Sequence, residues 1–386
     1  MEAAAKIVSR LDALGAVSEA AGCLTRRYAT PALRQARDLT QRWMEVAGMV
    51  ARVDAVGNLI GHYAGAAADA KILMLGSHLD SVPNAGKYDG PLGIILALAC
   101  VEQLAGRRLP FAIEVIAFAD EEGSRFQTSY LGSGVVAGAI TEITRPELRQ
   151  AMREFGGDPD ALVTCQIPPG KLLGYAEAHI EQGPILEQKN LAVGVVTAIA
   201  GQSRADLIFE GRAGHAGTTP MRMRQDALCA ASEFVLEVQR YARRKKGLVA
   251  TVGKMTVEPG ASNVIPGRVA LTLDVRHQDD AVRLAAVQHF QKCAAQWTTV
   301  GDTPTVQCDG AHVARLRQAV RRQRMRVLEM VSGAGHDAAM MARIAPVAML
   351  FVRCKNGVSH HPAEAVAEED LRVALAAFSD YVHEFV

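Results

Sequence analysis

Ile72-Leu-Met-Leu-Gly76-Ser-His-Leu-Asp80 runs from an apolar stretch into an imidazole and a carboxylate, and Lys87-Tyr-Asp-Gly-Pro-Leu-Gly93 follows shortly after. The unbroken run Ile72 to Leu75 predicts a strand buried on both faces, as in a parallel sheet. His78 and Asp80 then fall at its carboxyl end, with Asp89 in a glycine-flanked turn beyond. Open α/β sheets bind ligands outside the carboxyl ends of their strands. Polar groups buried there are costly unless paired or metal-bound. The stretch reads as one half of a metal site.

Working outward, Gly93 to Leu104 predicts a helix and Ile113 to Ala119 a second buried strand. Residues 5–50 predict two helices parted by Gly22 to Pro31, the second carrying apolar residues from Leu33 to Val50. This alternation is that of an α/β domain with a mostly parallel sheet between helices. Near residue 203 the texture changes. Strands are predicted at Arg204 to Phe209, Leu248 to Val257, Arg268 to Val275 and Thr303 to Gln307, with helices at Asp226 to Arg244 and Asp280 to Trp297. That βαββαβ order suits a small α+β unit with helices on one side. The expected organisation is a discontinuous catalytic domain, 1–202 and 311–386, interrupted by an inserted unit at 203–310.

Composition excludes several classes. With 386 residues, 49% hydrophobic, 22% charged and a net charge of +1, the chain reads as an ordinary globular protein. Neutrality argues against nucleic acid as a partner. The basic run Arg315 to Arg326 reads as a solvated helix face. No secretory signal or membrane span is apparent, and the seven cysteines include no C-x-x-C pair. Cys100, Cys229 and Cys293 read as reduced core residues, and the expected setting is cytoplasmic.

Three further clusters carry chemistry. Asp120-Glu-Glu122 follows the Ile113 strand, and adjacent carboxylates repel unless a cation neutralises them. Of two neighbouring glutamates, one can ligate metal while the other moves a proton. Tyr175-Ala-Glu-Ala-His-Ile-Glu-Gln-Gly-Pro184 puts Glu177, His179 and Glu181 at period two on one face of a strand, which in isolation suits a polar edge strand equally well. Gly357-Val-Ser-His-His-Pro-Ala-Glu364 holds two histidines in a proline turn. His78, Asp89, Glu122, His179 and His360 form an N/O donor set without thiolate, suited to zinc, manganese, cobalt or nickel. No P-loop, H-E-x-x-H or nucleophile elbow competes.

These segments resemble the hydantoinase/carbamoylase branch of the co-catalytic-metal aminoacylase and carboxypeptidase superfamily. The resemblance extends through Asp54-Ala-Val-Gly-Asn58, Asp120-Glu-Glu-Gly-Ser-Arg-Phe126, Gly214-His-Ala-Gly-Thr-Thr-Pro220, Asn263-Val-Ile-Pro-Gly267 and Ser332-Gly-Ala-Gly-His-Asp337. It implies two divalent ions per subunit bridged by Asp89, one completed by His78 and His179, the other by Glu122 and His360. Glu121 would be the general base, Asp80 the residue orienting His78, and His215 a donor to the oxyanion. Gln182, Asn263, Arg276 and His336 would contact the substrate, Arg276 by clamping its carboxylate. The insertion would be a lid that forms a homodimer, some of its residues acting across the interface. His361 stands where relatives often carry Asn or Ser, so either His360 or His361 is the expected ligand. Asp309 to Val331 also looks short and basic against relatives.

The implied activity is hydrolysis of a ureido C–N bond on a small carboxylate, with allantoate the leading substrate. N-carbamoyl-L-amino acids and 3-ureidopropionate are the close alternatives. A dipeptidase or aminoacylase, or a non-catalytic metal-binding protein, stands further off.

Overall fold

The apolar runs around the acidic clusters all enter one sheet. The structure is a computed structural model describing residues 2–294 and 296–386. It divides into unit 1, the chain up to Thr197 together with Cys308–Val386, and unit 2, Ala198–Gln307. The first part of the chain supplies β1 (Val50–Val53), β2 (Leu59–Tyr63), β3 (Ile72–His78), β4 (Ala112–Phe118), β5 (Leu172–Ile180) and β6 (Val193–Ile199). Unit 2 follows with β7 (Gly201–Glu210), β8 (Gly214–His215), β9 (Val249–Glu258), β10 (Val264–Ile265), β11 (Arg268–His277), β12 (Gln296–Thr303) and β13 (Val306–Gln307). The chain then returns with β14 (Glu329–Ser332) and β15 (Val347–Val352).

In unit 1 the order is β1-β2-β4-β3-β5-β15-β6, with β14 alongside β6. The central four strands, β4-β3-β5-β15, are mutually parallel, whereas β1, β2 and β6 pair antiparallel at the flanks. Every residue of β4 and of β15 is buried, as continuous apolar strands in a covered parallel sheet require. The Pro91–Gln103 helix is buried from Pro91 through Val101; a helix apolar on all sides has to lie inside. Each Leu or Ile buried there is worth about 1.5–3 kcal/mol relative to exposure. The Pro31–Val46 helix starts with Thr30, whose hydroxyl accepts the Leu33 N–H, and with Pro31 at its first position.

Unit 2 is built differently. Its sheet order is β12-β7-β11-β9, all antiparallel, and β11 alternates half-buried and buried residues along its length. The buried set, Val269, Leu271, Leu273 and Val275, belongs to a core with Phe234 and Phe290 of the Ala227–Arg244 and Asp280–Gln291 helices. Asp226 and Asp279 cap those helices. β13 lies antiparallel to Ile199 and Ala198, so the two ends of unit 2 pair with each other.

Several expectations fail in instructive ways. Val50 is not helical but opens β1, because Gly48 ends the preceding helix in the left-handed region at φ 81°. The helix from Asp280 ends at Gln291, not Trp297: Trp297 pairs with Leu207 in β12. The strand expected at Thr303 to Gln307 is split between β12 and β13. β5 is central, between β3 and β15, so its polar residues are not those of an edge strand. Cys100 is buried, but Cys229 and Cys293 are exposed. Cys229 lies off the stripe of Ala227, Ala231, Phe234 and Val238 that its helix buries. In the Gly310–Arg322 helix, His312, Val313, Leu316, Ala319 and Val320 are buried; Arg321 and Arg322 are exposed, Arg315 and Arg317 only half-exposed, and Arg324 and Arg326 lie exposed beyond its end, so the basic run is only in part a solvated helix face. Among the described residues no helix is long and apolar enough to cross a membrane.

Candidate metal centre

The carboxyl ends of β3, β4 and β5, and the loop after β15, bring the five donor residues together. Asp89 is the hub. Its Oδ1 lies 3.1 Å from His179 Nε2 and 3.6 Å from His78 Nε2, while its Oδ2 lies 3.0 Å from His360 Nε2. His360 Nε2 is also 3.3 Å from Glu122 Oε1. His78, Asp89 and His179 therefore form one cluster and Asp89, Glu122 and His360 a second, each with its donor atoms within 4.8 Å of one another. His361 is exposed, and its Nδ1 accepts the Ala363 N–H within the turn. Of the two histidines, His360 is the one aimed at Asp89. It holds a left-handed backbone, φ 55°, uncommon outside glycine and asparagine.

The turn that presents Asp89 depends on Gly90. Its φ is 82°, and a Cβ there would lie 2.5 Å from His78 Cε1 and Nδ1, so only glycine lets this turn close onto the imidazole.

Asp80 does more than orient His78. It is fully buried; its Oδ1 sits 3.3 Å from His78 Nδ1 and also accepts the Glu121 N–H at 3.0 Å. Its Oδ2 accepts the Glu122 N–H at 3.2 Å. One carboxylate thus fixes both an imidazole and the backbone of the acidic pair. Behind that pair, Asn58 Oδ1 accepts the Ala119 N–H at 3.0 Å, and the Asn58 amide donates to Asp54.

The electrostatics follow from burial and charge. Burial works against the charged form of Asp89, yet hydrogen bonds from His179, His360 and His78 hold it well below the usual carboxylate range. Burial pulls His78 down, but bonds to Asp80 and Asp89 outweigh it and raise its pKa well above an ordinary histidine. Its bond to Asp89 raises His360 to about 9. Burial raises Glu122 to about 7 and lifts Glu121 well above the ordinary glutamate value, against the pull of His78. A buried carboxyl that readily takes a proton, beside one that can coordinate, suits proton transfer at a metal. So many carboxylates around three imidazoles, with Asp89 facing two ways, are a donor set that fits divalent cations.

The remaining expected residues are distributed unevenly. Gln182 lies in unit 1, its amide donating to Asp89 Oδ2 at 3.0 Å. His336 is buried, its ring 4.6 Å from that of His179 and its Nε2 2.8 Å from Ser332 Oγ. Glu177 is buried beneath, accepting from Ser77, Tyr175 and Ala338. Glu181 does not join the cluster: its carboxylate accepts the Ile185 and Leu186 N–H groups and caps the short helix there. His215, Asn263 and Arg276 belong to unit 2. β8 and β10 pair His215 with Val264, and the Ala216 N–H donates to Asn263 O, so His215 and Asn263 are neighbours. His215 Nδ1 accepts the Gly217 N–H, which leaves Nε2–H of the neutral ring as a donor. Arg276 forms a bidentate pair with Asp274. Ser359 and Glu364 carry no sequence signal beyond their proximity to His360, yet both reach the Asp89 turn.

Comparison with known proteins gives the family. The model of peptidase family M20/M25/M40 matches residues 74–384. Allantoate deiminase 1 of Glycine max is 38% identical over 95% of this chain and 86% of its own length. The N-carbamoyl-L-amino acid amidohydrolase of Geobacillus stearothermophilus is 37% identical over 95% of both chains. The crystal structure of an amidase of the hydantoinase/carbamoylase family from Burkholderia multivorans superposes with a TM-score of 0.90 at 35% identity, covering 98% of this chain and 96% of that one. With its donors gathered at parallel strand ends and its length matched almost throughout, the chain belongs to peptidase family M20/M25/M40, a family of metal-dependent hydrolases, and within it to the hydantoinase/carbamoylase amidases.

Proposed function

We propose that this chain is a two-metal amidohydrolase that cleaves the ureido C–N bond of allantoate. The observation that carries the reading is Asp89, whose two oxygens face separate donor sets, His78 with His179 and Glu122 with His360. Zinc or manganese held there would supply Lewis acidity toward the ureido carbonyl and make water more acidic. Glu121, buried and with a raised proton affinity, takes the proton of the attacking water and delivers it to the departing nitrogen. Asp80 keeps Glu121 and His78 in place through its three contacts. Gln182 and His336 line the substrate side. His215 donates from Nε2–H toward the oxyanion, and Arg276, with Asn263, takes the substrate carboxylate in a bidentate grip that replaces its pair with Asp274. Unit 2 serves as lid and homodimer contact; Leu236, Val249, Leu284 and Val300 leave apolar surface exposed on it. Seven unpaired cysteines suit a cytoplasmic setting.

N-carbamoyl-L-amino acids are the second reading. The Geobacillus relative matches 95% of both chains, fuller coverage of its own length than the Glycine max deiminase has. The two readings separate in one assay. Manganese- or zinc-loaded protein is tested for ammonia release from allantoate, N-carbamoyl-L-amino acids and 3-ureidopropionate, and for release of a free amino acid from a dipeptide in parallel. Allantoate is expected to give the highest kcat/KM. A carbamoyl amino acid in first place transfers the assignment to the second reading, and turnover of the dipeptide alone overturns both.

A further inference from the structure

Glu364 is buried at 5% exposure, although it sits on a surface turn with Pro362. Its Oε1 accepts two main-chain donors from a distant part of the chain, the Tyr88 N–H at 2.7 Å and the Asp89 N–H at 3.1 Å. Its Oε2 lies 3.3 Å from Ser359 Oγ. The Ser359 hydroxyl has one proton for two carboxylates, and its shorter contact, 2.8 Å, is to Asp89 Oδ2. Gly86 closes the arrangement: a Cβ there would lie 2.3 Å from Glu364 Cβ and 2.5 Å from Oε1. Both sets of contacts run between the turn that carries Asp89 and the turn that carries His360.

We propose that Glu364 is a positioning residue that holds the Tyr88–Asp89 main chain against the His360 turn, and so presets the spacing at which Asp89 and His360 receive a metal ion. The proposal rests on the reading of Asp89 and His360 as ligands. Groups that hold ligands in place typically govern metal affinity by about 10–100-fold. What Glu364 supplies is an acceptor at a set reach, not a charge, so glutamine substitutes for it and aspartate, one methylene shorter, does not.

Full-length protein stripped with a chelator is titrated with Mn²⁺ and with Zn²⁺ by equilibrium dialysis and calorimetry. The series is wild type, Asp89→Asn, Glu364→Gln, Glu364→Asp, Glu364→Ala and Gly86→Ala, each checked for folding by circular dichroism. Glu364→Asp, Glu364→Ala and Gly86→Ala are expected to bind about 10–100-fold more weakly, with Glu364→Gln within about threefold of wild type. If Glu364→Ala does not fold, the contrast between Gln and Asp decides. Wild-type affinity in Glu364→Asp, or equal losses in Gln and Asp, overturns the proposal while leaving the metal centre standing. Failure of wild type to bind, or wild-type binding by Asp89→Asn, overturns the ligand reading itself.

Discussion

β3 and β4 run into clusters of charged residues at their carboxyl ends, where Asp80 and, in the turn beyond, Asp89 are 0% and 4% exposed. β7 and β11 instead carry Arg204, Asp274 and Arg276 along one face, exposed or half-exposed and paired with each other. The first arrangement is expensive: buried carboxylates and imidazoles raise one another's free energy until a cation or a proton intervenes. The second costs little, because solvent screens it. Chemistry that needs strong fields belongs where water is excluded, and recognition of a charged group can be left to a screened surface. On the proposed reading, Glu121 and the buried donor set of unit 1 carry bond cleavage, while the more exposed Arg276 of unit 2 takes the substrate carboxylate.

The sharpest attempt to break that division is Glu121→Gln. The amide is isosteric with the protonated acid that burial favours at this position, so fold and metal content are expected to persist. Turnover should fall by about 10²–10⁴-fold, measured as kcat for ammonia release beside metal analysis. Normal turnover would remove Glu121 as the base.

Arg276→Ala probes the other side. Loss of a charge-assisted bidentate contact is expected to raise KM by about tenfold or more, with kcat changed far less. An unchanged KM rejects the carboxylate clamp, and an equal fall in kcat would show that Arg276 shares in the chemical step.

The smallest effect concerns protons alone. In the metal-free fold Glu122 titrates at about 7 instead of 4.5, and His360 at about 9 instead of 6.5. Both hold protons that the unfolded chain has already released. Glu122 therefore costs stability progressively between about pH 4.5 and 7, and the stabilisation His360 gives below about pH 6.5 is lost as pH rises to about 9. The Tm of chelator-treated protein should decline across that range, and saturating metal should flatten the decline because metal replaces the protons. A metal-free profile that is flat or rising contradicts the buried, proton-sharing centre.

The centre of unit 1 is legible in the sequence because the run Ile72 to Leu75, and Ile113 to Ala119 broken only by Glu114, lead straight into charged residues, a pattern that surface loops and amphipathic helices do not produce. The ends of the elements inside unit 2 are harder to read. Ala294 and Trp297 keep a helical spacing past Gln291, and only the pairing of Trp297 with Leu207, far back in the chain, draws that segment into β12. Glu364 is legible only as the end of the His360 segment, because its closest partners are main-chain N–H groups, one of them 276 residues away, and a backbone donor leaves no trace in residue identity. Asp80 is recognisable as a partner of His78, but its hold on the Glu121 and Glu122 N–H groups is visible only in three dimensions. Cys229 misleads because its apolar neighbours in sequence do not share its side of the helix.

β15 has a consequence for how the protein comes into being. It fills the slot between β5 and β6, yet it is synthesised after all of unit 2. Unit 2 is continuous and can complete its own sheet as it emerges, whereas the parallel sheet stays gapped until residues 347–352 arrive. His360 and Glu364 follow later still. A chain that has emerged only as far as β6 therefore carries His78, Asp89, Glu122 and His179 without His360 beside them, so the donor cluster is among the last features of the fold to be completed.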